Sequence, residues 1–366
     1  MRVITLLSLL VLVIPTVDAQ IAPQTLGPSE KMPPIGENWF ISVTRDGGYI
    51  LDATNGEMYG MLRASGFTPA IQPSADRSEF YAAASYYSRG SYGERADILF
   101  VQDYENLSAV AEVEIPKKIA ALPYRGYIGL MSGGKHVGVS NLTPAQSVTI
   151  VDVANRTLVG EISTPGCSLI LPVKDNDFLT MCGDGTLMLV QLDDNGRETN
   201  RVRSRKFFEL QEDPVYDRPV ETTNGWLMLS NNGKAYEVSV SGADIEISRP
   251  WDFVTEEDAA ENWWPGGNQL VTVQRRLGLF YVTMHQGERY SHHEPGTEIW
   301  VFSLAAKHRV ARIELEEPAS SIMVTQEAEP LLIVGGRGNE TRVFDALTFV
   351  LQRTIDAPAA ALFEDL

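Results

Sequence analysis

The sequence predicts an all-β fold, and specifically a seven-bladed β-propeller. Short runs rich in Val, Ile, Leu, Tyr and Phe recur between clusters of Gly, Asn, Asp and Pro, whereas helical periodicity is scarce. A unit made of an apolar strand, an Asp, a polar turn and a second strand occurs seven times. Its spacing of about 40 to 50 residues is typical of four-stranded propeller blades.

The repeats share a strand that ends in or near Asp. They lie at 49–52, 99–103, 148–152, 187–193, 234–238 (a weaker copy), 299–303 and 342–345. Because an Asp carboxylate can accept hydrogen bonds from nearby backbone amides and start a turn, we interpret these residues as architectural. One longer interval contains Trp263 and Trp264, and residues 255–261 could form a short helix. Two β-sandwiches would need a linker between halves, and no Pro- or Ser-rich stretch is long enough to be one.

The N-terminus resembles a secretory leader. Arg2 precedes an apolar run at 4–15, and small residues around Ala19 offer a cleavage site before Gln20. We therefore predict a cleaved signal peptide over 1–19 and a single seven-bladed propeller domain over 20–366. The alternative is a retained N-terminal anchor. No later stretch approaches the roughly 20 apolar residues of a membrane span.

The formal net charge of −18 argues against nucleic acid as a partner, since an acidic surface repels phosphate backbones. The field of this negative charge favours cationic small molecules or a basic protein face, although solubility alone is the simpler and preferred explanation of the charge.

Cys167 and Cys182 are the two cysteines of the chain. In an exported protein, such a pair indicates a disulfide more naturally than a metal site. The flanking runs at 168–171 and 178–181 are typical of two antiparallel strands joined through 174–177. A disulfide would pin this hairpin.

No motif indicates a self-contained catalytic site. The glycine-rich stretches at 133–135 and 335–338 lack the ending and the following helix of a phosphate loop. The stretch 285–294 contains three of the five histidines and two carboxylates. It could be a metal site, a structured loop or a subunit contact, although adjacent histidines on an extended chain point to opposite faces.

Two aromatic stretches, 66–69 with 86–90 and 263–267, are typical of either partner contacts or core filling between blades. Close to the first, Arg89, Glu94, Arg95 and Asp97 could form an ion network.

Several of these segments resemble the heavy subunit of methylamine dehydrogenase and of its relative aromatic amine dehydrogenase. The matching stretches, which agree in order and spacing, are 60–69, 87–97, 167–185, 264–267, 285–301 and 309–313. The resemblance implies a periplasmic α2β2 heterotetramer of seven-bladed heavy chains and light chains. It also implies that the two cysteines of this chain are paired as a disulfide.

In this family the light (beta) subunit carries the cofactor, tryptophan tryptophylquinone, and the catalytic residues. The resemblance implies that primary amines, methylamine or a related aliphatic amine being favoured, become aldehyde and ammonia. Electrons then pass to a small copper protein or cytochrome. For this chain it implies no catalytic residue, no bound cofactor and no metal. One residue carries over with a role: Phe67 would line the substrate channel.

Two other functions are open to an exported propeller. It could bind a protein or small ligand without catalysis, or it could be a hydrolase or lactonase. The latter needs a metal cage or a His pair at the central channel, and three of the five histidines lie in one loop.

Overall fold

The computed structural model describes residues 31–366, except positions 46, 64–66, 68, 69, 121, 143 and 337. The described residues form seven antiparallel sheets, each with at least four strands, which confirms the predicted seven-bladed β-propeller. The predicted leader over 1–19 and its cleavage site lie outside the described residues and stay predictions. Of the helices in the described part of the chain, none has the length and apolar character that a membrane crossing requires.

Blades are numbered along the chain, and strands run outward from the central axis in order of sequence. Blade 1 contains β1 (Trp39–Val43), β2 (Gly47–Asp52), β3 (Met58–Arg63) and, innermost, the C-terminal β30 (Leu362–Asp365). Blade 2 contains β4 (Ile71–Pro73), β5 (Glu79–Tyr87), β6 (Arg95–Asp103) and β7 (Ala109–Ile115). Blade 3 contains β8 (Ile128–Leu130), preceded by a 3-10 turn (Arg125–Tyr127), β9 (His136–Asn141), β10 (Ser147–Asp152) and β11 (Thr157–Ser163).

The remaining blades follow the same order. Blade 4 contains β12 (Cys167–Pro172), β13 (Phe178–Cys182), β14 (Leu187–Leu192) and β15 (Glu198–Arg203). Blade 5 contains β16 (Val220–Thr222), β17 (Gly225–Leu229), β18 (Lys234–Ser241), β19 (Asp244–Ile247) and an added β20 (Trp251–Asp252). Blade 6 contains β21 (Trp263–Pro265), β22 (Val271–Gln274), β23 (Leu279–Gln286), β24 (Gly296–Ser303) and β25 (His308–Ala319). Blade 7 contains β26 (Ser321–Val324), β27 (Leu331–Gly335), β28 (Glu340–Asp345) and β29 (Leu351–Asp356).

The ring is closed by pairing the two ends of the described chain in one blade. Strand β30 pairs antiparallel with β1, with Phe40 opposite Asp365 and Val43 opposite Leu362. Around the axis, innermost strands of neighbouring blades contact each other, as β4 contacts β8 and β26 contacts β30. Buried apolar side chains fill the spaces between blades, because each sheet presents two faces that must be covered.

All seven sequence repeats fall on the third strand of a blade, counted from the axis. Five of them end in an Asp whose carboxylate accepts hydrogen bonds from main-chain N–H groups of the following turn. These are Asp52, Asp103, Asp152, Asp193 and Asp345. In blade 6 the Ser303 hydroxyl does the same for Ala306. The architectural interpretation of the repeated Asp is therefore confirmed.

The short helix predicted within 255–261 is present as α1 (Glu256–Ala260). Thr255 caps it by accepting a hydrogen bond from the Asp258 main-chain N–H, and the Asp258 carboxylate accepts one from the Thr255 main-chain N–H. This reciprocal cap satisfies two amides that a helix start leaves without partners. Arg309 then binds the same carboxylate at 2.9 Å and attaches the helix to blade 6.

Cys167 and Cys182 form a disulfide across the first two strands of blade 4. They lie directly opposite each other in the β12–β13 pairing, and both are buried. The predicted hairpin is therefore present, with 174–177 in its connection.

We expect the Cys167→Ala/Cys182→Ala double variant to lose about 3 kcal/mol of unfolding free energy, because an unfolded chain without the disulfide has a higher conformational entropy. Urea unfolding followed by circular dichroism measures this loss. Wild-type protein kept under reductant is the control and should shift equally. An unchanged midpoint in both would contradict the prediction.

Candidate functional site

The candidate site lies on one end face of the propeller. Because strands alternate in direction, two kinds of loop emerge at the same face: those joining the second and third strands of a blade, and those joining the outermost strand of one blade to the innermost strand of the next. The face bears Phe67, between β3 and β4, and Lys118, between β7 and β8. We call it the loop face.

Phe67 is half-buried on the loop face. Its ring lies edge-on to Tyr87, with 5.5 Å between ring centroids, and its main-chain carbonyl accepts a hydrogen bond from Lys118 Nζ. Gly66, Thr68 and Pro69 of the same predicted motif lie outside the described residues. Phe67 is thus a partly exposed ring whose backbone is attached to a buried side chain.

Lys118 was not predicted from the sequence. It is 2% exposed, and its ammonium group donates hydrogen bonds to the carbonyls of Phe67 and Ile119. Burial lowers the pKa of Lys118 to about 7, against the opposing effect of the nearby Asp97 carboxylate. In sequence it stands beside the exposed Lys117. Nothing local distinguishes the buried lysine from its neighbour.

The predicted ion network near 89–97 is present in part. Arg95 donates to Asp97 through Nε at 2.8 Å and Nη2 at 2.7 Å, and the Ser85 hydroxyl donates to the same carboxylate. Arg95 Nη2 also donates to the Lys118 main-chain carbonyl at 2.6 Å. Arg89 instead lies over the ring of Tyr92. The network therefore supports Lys118 and, through it, Phe67.

A second polar cluster joins several blades near the axis. Arg218 pairs with Asp217 at 2.5 Å, donates to the Asn268 carbonyl, and lies over the Tyr124 ring with its guanidinium carbon 4.7 Å from the centroid. Asn268 Nδ2 in turn donates to the Ala361 carbonyl at 2.6 Å. These contacts connect the loops that precede blades 3, 5 and 1 with the loop inside blade 6.

Below this cluster lies an axial cavity of about 260 Å³, lined by innermost strands of blades 5, 6, 7 and 1. Two acids of β30, Glu364 and Asp365, face it. Glu364 is 2% exposed and its Oε2 lies 2.6 Å from Arg125 Nε. Burial raises the pKa of Glu364 to about 7, although Arg125 lowers it, and burial raises the pKa of Asp365 to about 6.

We expect Glu364→Gln to flatten the pH dependence of stability. Because the pKa of Glu364 is higher in the folded state, the folded protein binds more protons, and the unfolding free energy falls as pH rises from about 4.5 to about 7. Melting temperatures across this range measure the slope. Asp365 should leave a residual slope that ends near pH 6. Glu221→Gln, an exposed acid of the same cavity, is the matched control, and a slope equal to wild type in Glu364→Gln would contradict the prediction.

The histidine-rich loop is held by internal hydrogen bonds. His285 is buried, and its Nε2 lies 2.7 Å from the Ser291 hydroxyl. The prediction that His292 and His293 point to opposite faces is wrong. The chain turns here instead of running extended, so the two rings lie against each other with centroids 4.0 Å apart. Within the described residues, no group of three or more His, Cys, Asp or Glu is placed to hold a metal ion. These contacts agree with the structured-loop interpretation.

The second aromatic stretch fills the core. Trp263 is buried and packs on Trp300, with 5.4 Å between ring centroids, while the Arg312 guanidinium lies over both rings. Trp264 is partly buried against the same cluster. The core-filling alternative therefore holds for this stretch.

The loop face that bears Phe67 also exposes several large apolar side chains. Tyr92 in blade 2, Leu122 between blades 2 and 3, and Leu142 in blade 3 are 61%, 56% and 53% exposed. We call these three residues the blade 2–3 surface. Exposed aliphatic and aromatic groups of this kind are typical of protein contacts.

Comparison with solved structures agrees on the fold. A putative 6-phosphogluconolactonase from Bacteroides fragilis superposes with a TM-score of 0.59, covering 91% of this chain and 99% of that one, at 12% sequence identity. At this identity the likeness shows a shared propeller fold and nothing about activity.

Comparison of sequences is more specific. The methylamine dehydrogenase heavy chain of Methylophilus methylotrophus is 26% identical over 312 residues, 84% of this chain and 76% of the relative. That of Paracoccus versutus is 26% identical over 322 residues, 87% and 74% of the two chains. The profile of the methylamine dehydrogenase heavy chain family matches residues 36–360. The chain therefore belongs to the methylamine dehydrogenase heavy chain family.

Proposed function

We propose that this chain is the heavy subunit of a periplasmic amine dehydrogenase. The enzyme would oxidise primary amines, methylamine or a related aliphatic amine, to aldehyde and ammonia and pass electrons to a small copper protein or cytochrome. Family membership supports the amine dehydrogenase assignment. The observation that carries the role of this chain is that the half-buried Phe67 ring and the exposed apolar blade 2–3 surface lie on the same face of the propeller.

In this proposal the light subunit docks on the loop face, in an α2β2 assembly, and covers the blade 2–3 surface. Its tryptophan tryptophylquinone supplies the electron acceptor for amine oxidation. The exposed groups fit such a partner, since burying apolar rings and aliphatic side chains stabilises an interface.

Phe67 then lines the path by which substrate arrives. Its ring and that of Tyr87 present an apolar wall at the docking surface, and a wall of this kind selects ligands by size. The net charge of −18 favours the approach of a protonated amine. The leader-like N-terminus supports export.

Purification from the native host tests the proposal. We expect a small, cysteine-rich subunit to copurify with this chain, with visible quinone absorbance and amine-dependent dye reduction. A chain that purifies alone, with no amine-dependent reduction, would contradict it and favour a non-catalytic binding propeller.

We also expect Leu122→Asp to reduce copurification of the light subunit by about tenfold or more, because a charge would be buried in an apolar contact. The fold should tolerate the change, since Leu122 has φ of 64°, a conformation that Asp adopts more readily than Leu. Leu347→Asp is the matched control. Leu347 is 49% exposed in a turn after the third strand of blade 7, on the opposite face. Equal yields of complex from both variants would refute docking at Leu122.

A further inference from the structure

We infer that Lys118 is a positioning residue that holds the main chain of Phe67 and thereby sets the size of amine that passes. This inference rests on the proposed channel role of Phe67. It concerns a residue that would act on substrate size by positioning Phe67.

The contact that carries the inference spans two loops. Lys118 Nζ donates hydrogen bonds to the carbonyl of Phe67, 51 positions earlier in the chain, and to that of Ile119 at 2.9 Å. Burial of a lysine is costly, so the hydrogen bonds of its amine must compensate for lost hydration. In the described part of the chain, those two carbonyls accept the hydrogen bonds of Lys118 Nζ.

The backbone of Lys118 is attached to two blades. Arg95, itself bound to the buried Asp97, donates to the Lys118 carbonyl. On the other side, Lys118 forms a β-bridge with Asn141, and the Ile119 main-chain N–H donates to the Ser140 carbonyl. The backbone of Lys118 is thereby fixed to blades 2 and 3. Its side chain extends from this fixed base to the Phe67 carbonyl.

Both hydrogen bonds of Lys118 Nζ can form whether the amine is protonated or neutral. A neutral amine carries two N–H groups and an ammonium carries three, and the described residues provide two acceptors. Replacing Lys118 by Met keeps most of the volume of the stem and removes both donors. The Phe67 carbonyl then loses this partner, and the position of the ring relative to Tyr87 is no longer set by the buried network.

The first measurement uses the full chain and needs no activity. Amide hydrogen exchange of a peptide that contains Phe67 is compared among wild type, Lys118→Met and Lys117→Met, the exposed neighbour serving as control. We expect exchange to rise at least about fivefold in Lys118→Met alone. Lys118→Gln, which keeps an amide donor, provides a second variant if Lys118→Met does not fold, with a smaller rise in the same peptide.

The second measurement uses the complex with the light subunit. We expect Lys118→Met to change the ratio of kcat/KM for long over short aliphatic amines by about fivefold or more, and we expect this change to vanish in a Phe67→Ala background. A purely structural defect would lower kcat/KM for long and short amines together, and this loss would persist in the Phe67→Ala background.

The outcomes separate the two claims. Unaltered exchange at Phe67 in Lys118→Met would overturn the inference, as would a preference change that persists without the Phe67 ring. Raised exchange together with an unchanged preference in Phe67→Ala would refute the channel role of Phe67 while supporting the hold of Lys118 on its main chain.

Discussion

Phe67→Ala should raise kcat/KM for longer aliphatic amines relative to methylamine by about tenfold or more, because each methylene that fits an apolar pocket contributes roughly 1 to 3 kcal/mol. The ring is half-buried and touches Tyr87 at the loop face, so its loss opens space there without emptying a fully buried site. Steady-state kinetics over a series of straight-chain amines measures the change.

Phe349→Ala is the matched control for this experiment. Phe349 is also half-buried, but it lies in the turn between β28 and β29, on the face opposite Phe67. We expect it to leave the amine preference unaltered, and both variants to copurify with the light subunit at wild-type yield. Identical relative rates across short and long amines in Phe67→Ala would contradict the channel role.

Truncation after Ala360 should abolish the cooperative fold, because it removes the strand that closes the ring. Strand β30 pairs with β1, and the Phe363 ring, 1% exposed, packs edge-on to Phe40 at 5.7 Å. Gln269 of blade 6 both donates to and accepts from the Phe363 main chain, at 2.9 and 2.7 Å. Without β30, the inner edge of β1 and its apolar neighbours face solvent, which also favours aggregation.

Thermal unfolding by circular dichroism and size-exclusion chromatography would measure the effect of truncation. A milder variant, Phe363→Ala, should lose about 3 to 5 kcal/mol of unfolding free energy and still unfold cooperatively. Leu351→Ala, at an exposed position of the outermost strand of blade 7, is the control, with a loss within about 0.5 kcal/mol. A truncated chain that melts like wild type would show that the ring does not need β30.

Local chemistry explains which predictions succeeded. The Asp repeats could be predicted because each Asp accepts hydrogen bonds from main-chain N–H groups within a few residues. Asp193, for example, accepts them from Asn195 and Arg197. The hairpin of Cys167 and Cys182 was readable for the same reason. The prediction for His292 and His293 failed because it assumed an extended chain where the loop turns.

Long-range contacts explain what was missed. Lys118 and Lys117 are adjacent and chemically identical, and contacts with residues distant in the sequence, among them Phe67 and Arg95, distinguish the buried Lys118 from its exposed neighbour. Glu364 likewise acquires its raised pKa from burial in the folded propeller, and its partner Arg125, which opposes that rise, is far away in the sequence.

The amino-acid sequence was sufficient for the blade count, the turn chemistry, the disulfide and the family resemblance, because each depends on patterns repeated or matched along the chain. The closing of the ring by β30, the attachment of Phe67 to Lys118 and the axial cavity lined by Glu364 and Asp365 depend on residues that meet after folding. How strongly each of these features stabilises the protein or shifts a pKa depends on burial and on the partner groups. Both are properties of the folded propeller and not of the local sequence.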